Sequence, residues 1–178
     1  MRPRAAAVVL IVAAAATAAP AAVYLTQAEA LKLAFPAPAV VDRRSEFLTE
    51  AQLRTARARA GSGVEIASAL VTRYVGKDAR GNILGTAYFD THRVRTLDET
   101  LMVVVDPAGR PGRVEILSCD EPPEYLPKKG WLEQFVGRAL DPELSVKRGI
   151  RGITGATLSS QAATDAVRRV LAIHEALK

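Results

Sequence analysis

The C-terminal residues 158–178 constrain the fold of this chain more than any other segment. They contain neither proline nor glycine, and their apolar side chains recur mostly three or four positions apart. This spacing predicts an amphipathic α-helix, because residues three and four apart lie on the same helical face. The rest of the fold must therefore supply an apolar surface against which a long helix can pack.

The turn before this helix is rich in hydroxyl groups, since residues 152–160 read Gly-Ile-Thr-Gly-Ala-Thr-Leu-Ser-Ser. In one interpretation, Thr157 is an N-cap whose side-chain oxygen accepts hydrogen bonds from the first-turn amides. In the other, the turn binds an anion such as phosphate. Helix N-terminal amides and the helix dipole attract negative charge, and Gly155 lets the backbone approach a ligand closely. Spacing alone favours the N-cap, because hydroxyl caps are common.

Four segments upstream have the composition of β-strands. Residues 64–75, 83–89, 101–105 and 113–117 are rich in valine, isoleucine and other strand-forming residues, and turn-forming residues separate them. Short connections between strands favour an antiparallel sheet, and the C-terminal helix can cover its apolar face. The predicted fold class is α+β.

Residues 23–60 are predicted to form an N-terminal helical arm. Residues 25–35 are helix-like and end at Pro36. Thr49 is expected to cap a second helix that runs to about Ala60. Glycines at positions 61 and 63 break the pattern, so we place the start of the main domain, residues 61–178, at this point.

Residues 1–22 have the three-part layout of a secretory signal. Arg2 and Arg4 precede an unbroken apolar run over residues 5–16, and small residues follow around Pro20. An uncleaved membrane anchor is the alternative, since residues 5–25 are about long enough to cross a bilayer. In either case the positive N-terminus predicts that the rest of the chain is periplasmic or otherwise extracytoplasmic.

Composition argues against several classes of function. A chain of 178 residues allows one domain with a core and a short appendage. The net charge of +5 comes without a basic block, so nucleic acid is not a predicted partner. Cys119 is the single cysteine, which excludes an intrachain disulfide, and no metal site is predicted. His92 is expected to be a surface or structural histidine, His174 is assigned no role, and no hydrolase motif is present.

The residues Thr154-Gly-Ala-Thr157 resemble the flavinylation motif Ser/Thr-Gly-Ala-Thr of the FMN-binding domain family. That family includes the FMN-bearing C subunit of the sodium-pumping NADH:quinone oxidoreductase and the G subunit of the Rnf electron-transport complex. In the family, a separate flavin transferase uses FAD to join the last threonine of the motif to the phosphate of FMN. The resemblance therefore implies FMN attached covalently at Thr157. The neighbouring positions implied to bind the cofactor are Thr154, Gly155, Ala156, Leu158 and Ser159.

A second, partial resemblance lies upstream of the turn. The family's larger subunits carry a Glu-Thr-Pro-Gly-Leu-Gly run followed by a Trp and a Phe. The positions that match this pattern here are Glu121, Pro123, Trp131, Phe135 and Gly137. The match implies that Glu121 lies near the flavin, and Tyr125 and Trp131 are candidates to stack on its ring. Ordinary packing of these two aromatic side chains is the alternative.

The resemblance implies an exported electron-transfer flavoprotein that relays electrons within or beside a membrane redox complex. Such a protein places the flavin and tunes its redox potential, and it is a redox subunit rather than a stand-alone enzyme. The implied partners are a flavin transferase and a membrane electron-transfer protein. Two alternatives stay open: noncovalent binding of FMN, and a flavin-free periplasmic binding domain in which Thr157 is only a helix cap.

Overall fold

A computed structural model of the chain describes residues 22–178. The strands are β1 (Ala22–Val23), β2 (Val40–Phe47), β3 (Leu70–Lys77), β4 (Ile83–Val94), β5 (Leu97–Val105) and β6 (Pro111–Cys119). The helices are α1 (Gln27–Ala34), α2 (Glu50–Ala60), α3 (Lys129–Leu132) and α4 (Thr157–Ala176), and a short 3-10 helix, Glu133–Phe135, follows α3.

All six strands belong to one antiparallel sheet in the order β1-β6-β5-β4-β3-β2. A two-residue connection, Arg95 and Thr96, joins β4 to β5 and makes the longest hairpin. The predicted α+β class is confirmed, since a C-terminal helix of 20 residues accompanies the sheet.

The main core lies between one face of the sheet and the helices α2 and α4. Leu101, Val103 and Val105 alternate along β5 and are fully buried against Val167 and Leu171 of α4. The two-residue period of a strand and the amphipathic face of α4 thus meet in the same layer. This packing fixes the first turn of α4 near the end of the sheet where β4 turns into β5.

A smaller core covers the opposite face of the sheet. Ala30 and Phe35, in and just after α1, pack against Ala87, Met102 and Val104. The Phe35 ring lies directly over the backbone of β3 and β4, where two glycines leave space that a Cβ would fill. Helix α1 is therefore an integral layer of the fold.

The sequence analysis predicted no strand within residues 23–60, and the structure corrects this. The two predicted helices are present as α1 and α2, but β2 lies between them and forms one edge of the sheet. Strand β2 lacks the apolar alternation of a half-buried strand because it is largely exposed. Ion pairs to β3 stabilise it instead, with Asp42–Lys77 at 2.6 Å and Glu46–Arg73 at 2.7 Å.

The strands of the hairpin are longer than predicted and β3 is shorter. Strand β3 begins at Leu70, although the predicted segment began at residue 64. Strands β4 and β5 extend through polar residues on both sides of the hairpin turn, where apolar content no longer signals a strand. The predicted signal or anchor lies, except for Ala22, outside the described residues. Within residues 22–178 no helix is long and apolar enough to span a membrane.

Candidate functional site

Helix α4 begins without a side-chain cap. Its N-cap position is Ala156, with φ −122° and ψ 47°, and Thr157 is the first helical residue. The predicted N-cap role of Thr157 is therefore wrong. A capping side chain must come from the residue with non-helical backbone angles that precedes the helix, and alanine has no oxygen to offer there.

The first amides of α4 have no protein acceptor. The backbone N–H of Ser160 donates to the carbonyl of Ala156 at 3.0 Å and makes the first hydrogen bond of the helix. Among the described residues, nothing accepts from the amides of Thr157, Leu158 and Ser159. These unpaired amides lie at the positive end of a 20-residue helix, and Thr157 and Leu158 are exposed, so the start of α4 has an anion-binding geometry.

The turn before α4 bends at Gly155, and hydrogen bonds of the Ser160 side chain stabilise it. Gly155 has φ +81°, and a Cβ at this position would meet nothing within 4 Å. The glycine is thus required by backbone conformation rather than by a close neighbour. Ser160 Oγ accepts from the Ile153 amide at 2.9 Å and donates to the Ala156 carbonyl at 2.9 Å, so it fixes both ends of the turn.

The four hydroxyl-bearing residues of 152–160 differ in their exposure to solvent. Thr154 and Thr157 are exposed, whereas Ser159 and Ser160 are fully buried. Leu158, beside Thr157, is an exposed large apolar residue at 53% relative exposure. The surface over the free amides therefore offers an accessible hydroxyl and an apolar side chain next to each other.

Glu121 anchors the first turn of α4 to the sheet. Ser159 Oγ donates to Glu121 Oε2 at 2.5 Å, and Arg95 Nη1 donates to Glu121 Oε1 at 2.8 Å. The Glu121 side chain is 1% exposed, so its charge is stabilised by these partners rather than by water. The Arg95 guanidinium also lies 5.1 Å from the centre of the Tyr125 ring, within the range of a cation–π contact.

Arg95 contacts the predicted site residue Glu121 but was not itself predicted from the sequence to belong to the site. It occupies the tip of the β4–β5 hairpin with φ 58°, a left-handed conformation that non-glycine residues adopt rarely. Nothing in the local sequence marks an arginine in a turn as a partner for a glutamate 26 positions later. Only the pairing of β4, β5 and β6 brings the two side chains together.

Trp131 and Gln134 hold the backbone that leads into the turn. The Trp131 indole N–H donates to the carbonyl of Arg151 at 2.5 Å, and the Arg151 amide donates to Gln134 Oε1 at 3.0 Å. The Trp131 ring also packs edge-to-face on Phe135, with centroids 5.3 Å apart. The Trp131 side chain therefore fixes the backbone of the segment that precedes Thr154.

The structure brings most of the predicted site residues into one region. Ser159 and Glu121 are in direct contact, and Arg95 links Glu121 to Tyr125. Trp131 reaches the region through the backbone of Arg151. The Trp131 ring packs on Phe135, and the Tyr125 ring lies against Arg95.

A second group of buried polar residues lies further along β4, β5 and α4. His92 is placed between the carboxylates of Asp90 and Glu99, and Arg169 of α4 binds Asp90. The ring of His174 accepts or donates a hydrogen bond with the Tyr88 hydroxyl at 3.0 Å, and burial lowers its pKa to about 4. Across residues 22–178 no group of three or more potential ligands is arranged to hold a metal ion.

The residues at the start of α4 fit a phosphate-bearing group. Three free amides and the helix dipole can accept the phosphate charge, and Gly155 leaves the backbone open to close approach. The accessible Thr157 hydroxyl lies at the same helical turn.

Comparisons with known proteins identify the same region. Residues 97–172 match the family model of the FMN-binding domain. The matched range contains Glu121, Tyr125, Trp131 and the whole turn before α4. Neither the curated proteins nor the solved structures contain a match to this chain.

Proposed function

We propose that this chain, a member of the FMN-binding domain family through residues 97–172, holds its FMN covalently. The bond is a phosphoester between Thr157 Oγ1 and the phosphate of FMN. Flavin binding itself follows from the family, whereas the covalent bond, electron relay and export are the parts that we propose.

The uncapped start of α4 is the observation that carries this proposal. Thr157 is exposed and does not cap the helix, so its hydroxyl has no structural task within the described chain. A phosphate bonded to Oγ1 would lie beside the amides of the first turn, which have no protein acceptor. Those amides and the helix dipole would stabilise the charge of the phosphodiester.

A separate flavin transferase would form the bond from FAD. The Thr157 oxygen attacks the flavin-side phosphorus of FAD, the bond to the adenylate breaks, and AMP leaves while the hydroxyl proton passes to the transferase or water. Accessibility supports this step, since the hydroxyl must enter the active site of another protein.

Side chains around the turn would then hold the site rigid. Glu121 fixes Ser159 in the first turn, while Arg95 neutralises Glu121 and contacts Tyr125. Trp131 and Gln134 fix the chain before the turn. The flavin supplies the redox chemistry when bound, and these residues supply its placement.

Electron transfer beside a membrane is the function that we propose for the loaded protein. The N-terminal residues 1–22 support export, because basic residues precede an apolar run and small residues. The domain would then be periplasmic or otherwise extracytoplasmic and would exchange electrons with a membrane partner.

Flavin fluorescence on a denaturing gel tests the attachment. The full chain is co-expressed with a flavin transferase, and wild type is compared with Thr157→Val and Thr154→Ser. Both threonines are exposed and lie in the same turn, and serine at position 154 keeps the hydroxyl of the motif, which makes the second variant a matched control. We expect a fluorescent band for wild type and Thr154→Ser and none for Thr157→Val.

Two results would contradict the proposal in different ways. Fluorescence that persists in Thr157→Val would place the bond elsewhere. A yellow wild-type protein that releases its flavin on denaturation would show noncovalent binding, for which the same helix amides are available.

A further inference from the structure

The sheet opens between two of its inner strands, β3 and β4. These strands pair as far as Arg73 and Tyr88, and no pair continues beyond these two residues in the described chain. Strand β3 reaches back to Leu70 while paired only with β2, and β4 runs on to Val94 while paired only with β5. The two strands therefore diverge at this end of the sheet.

An open cleft of about 650 Å³ occupies this opening. Residues 63–72 line one side of the cleft, residues 88–93 of β4 line the other, and Arg169, Val170 and Ile173 of α4 complete it. The volume lies within the range of ligand-binding clefts. Arg169 is 12 positions after Thr157, about 18 Å along the helix axis, so the cleft is separate from the start of α4.

Both sides of the cleft carry strand backbone with one open edge. Alternate residues of an antiparallel strand direct their N–H and C=O groups to opposite sides. Residues 89–94 give one side to β5, so about half of their backbone groups point to the side that β3 leaves open. Residues 70–72 are open on their inner side in the same way, because their other side pairs with β2. Another extended chain can satisfy such groups in place of water.

The side chains of α4 in the cleft favour an added strand with apolar residues at alternate positions. Asp90 lies on the face of β4 that α4 covers, because it accepts from Arg169 of that helix. A strand beside β4 directs every second side chain to the same face. These side chains meet Val170 and Ile173, the apolar residues that α4 contributes to the cleft.

Two cations that line the cleft are neutralised within the protein. His92 lies 3.0 Å from Asp90 and 3.1 Å from Glu99, and Arg169 donates to Asp90 at 2.7 Å. Burial lowers the pKa of His92, but its hydrogen bonds to Asp90 and Glu99 outweigh burial and raise it to about 9. The imidazole is therefore cationic at neutral pH, and two cations balance two carboxylates.

One carboxylate of the cleft remains without a cation. Arg93 pairs with the exposed Asp98 at 3.3 Å, so its charge is also balanced. Glu65 is exposed, and within residues 22–178 no cation pairs with its side chain. A basic residue in an added strand complements this carboxylate.

We propose that this cleft binds an extended peptide segment of a partner protein, which adds as a strand to the open edge of β4. The main chain of the segment pairs with residues 89–94, its alternate apolar side chains contact α4, and a basic residue lies near Glu65. Backbone hydrogen bonds supply the affinity in this mode of recognition, and the alternate side chains supply the specificity. Binding of such a segment does not depend on how FMN is attached.

Amide hydrogen exchange with a synthetic peptide tests the pairing. The probe is a peptide of alternating valine and threonine with a lysine at each end, added to the purified full chain. We expect slower exchange in residues 89–94 when the peptide is bound, because pairing removes their amides from water. Two N-methylated forms of the peptide, one for each set of alternate residues, are the controls. The form that blocks the amides facing β4 should not bind.

A substitution in the cleft tests the location. Ala67 is exposed and lines the cleft, so Ala67→Trp should obstruct the opening and weaken binding of a fluorescent form of the peptide about tenfold. Ala108→Trp is the matched control, because Ala108 is exposed in the turn between β5 and β6. It should bind the peptide as wild type does.

Three results would overturn the proposal. The first is a failure of the peptide to bind, and the second is binding that leaves exchange in residues 89–94 unchanged or is equally strong in Ala67→Trp. The third is protection of residues 89–94 that rises with protein concentration in the absence of peptide, which would assign the open edge to a second copy of this chain.

Discussion

The start of α4 and the Asp90–His92–Glu99 network differ in how their polar groups find partners. At the start of α4, the amides of Thr157, Leu158 and Ser159 have no protein acceptor among the described residues, and Thr157 and Leu158 are exposed. In the network, every oxygen except Glu99 Oε1 has a partner among the described residues, and the members are almost fully buried. Helix α4 connects the two regions, because Arg169 of this helix binds Asp90.

The comparison separates two uses of polarity within one fold. Groups left unsatisfied at an accessible helix end are inexpensive because water can satisfy them until a ligand does. Charges in the interior must be paired by the protein itself, since burying them unpaired costs several kcal/mol. The start of α4 is therefore suited to binding a ligand, and the Asp90–His92–Glu99 network is suited to keeping charged side chains in the interior.

Replacing His92, the central cation of the network, should have the largest effect on the free energy of unfolding. His92→Leu leaves the carboxylates of Asp90 and Glu99 buried without the imidazolium between them. We expect a loss of about 3–5 kcal/mol in the free energy of unfolding, measured with urea. Asp98→Asn, a change in an exposed ion pair, should stay within about 0.5 kcal/mol of wild type. A small effect of His92→Leu would mean that the buried pairs are weaker than their geometry indicates.

The same network predicts a loss of stability at alkaline pH. The folded-state pKa of His92 is about 9, above its ordinary value of 6.5, so protonation favours the folded protein. The contribution of His92 is complete below pH 6.5 and is lost as the pH rises through about 9. Urea unfolding from pH 6 to 10 should show this decline in wild type, and His92→Leu should lack it. A parallel decline in both proteins would assign the effect to another group.

Changing the bend before α4 should have an intermediate effect. Gly155→Ala forces a side chain into φ +81° and should cost about 1–2 kcal/mol in the free energy of unfolding. It should also reduce the yield of covalent flavin, because the turn must present Thr157. Gly130→Ala is the control, since Gly130 lies in α3 with open space around it and no positive φ. Equal stability of the two variants would show that the turn at Gly155 relaxes without cost.

The smallest expected effect separates Thr157 from a true helix cap. Thr49 caps α2 through a complete capping box with Gln52, so Thr49→Ala should cost about 1 kcal/mol. Thr157 is inside its helix, so Thr157→Ala in the flavin-free protein should change the free energy of unfolding by less than about 0.5 kcal/mol. Urea unfolding of the two variants gives both values. A loss at Thr157 equal to that at Thr49 would restore the capping role.

Much of the scaffold could be predicted from the sequence because its signals are local. The periodicity of α4 and the turn residues between β5 and β6 specify those elements directly, and the structure confirms them. Strand β2 could not be predicted, since its charged side chains pair with β3 and hide the strand period. The N-cap error at Thr157 was a displacement of one residue, which spacing alone does not resolve.

The sequence likewise predicted only part of the candidate site. The turn around Thr154 and Thr157 was visible as a motif, because its residues are contiguous. Arg95 and the partners of His92 were not, because they meet only when distant strands pair. Ion pairs across a sheet leave no periodic trace in the sequence.

Intact mass of the purified protein, after co-expression with a flavin transferase, shows whether Thr157 carries FMN. We expect a mass increase equal to FMN less one water, and peptide mapping should place it on the peptide that contains Thr157. An unmodified mass, or a modification confined to another peptide, would contradict the account.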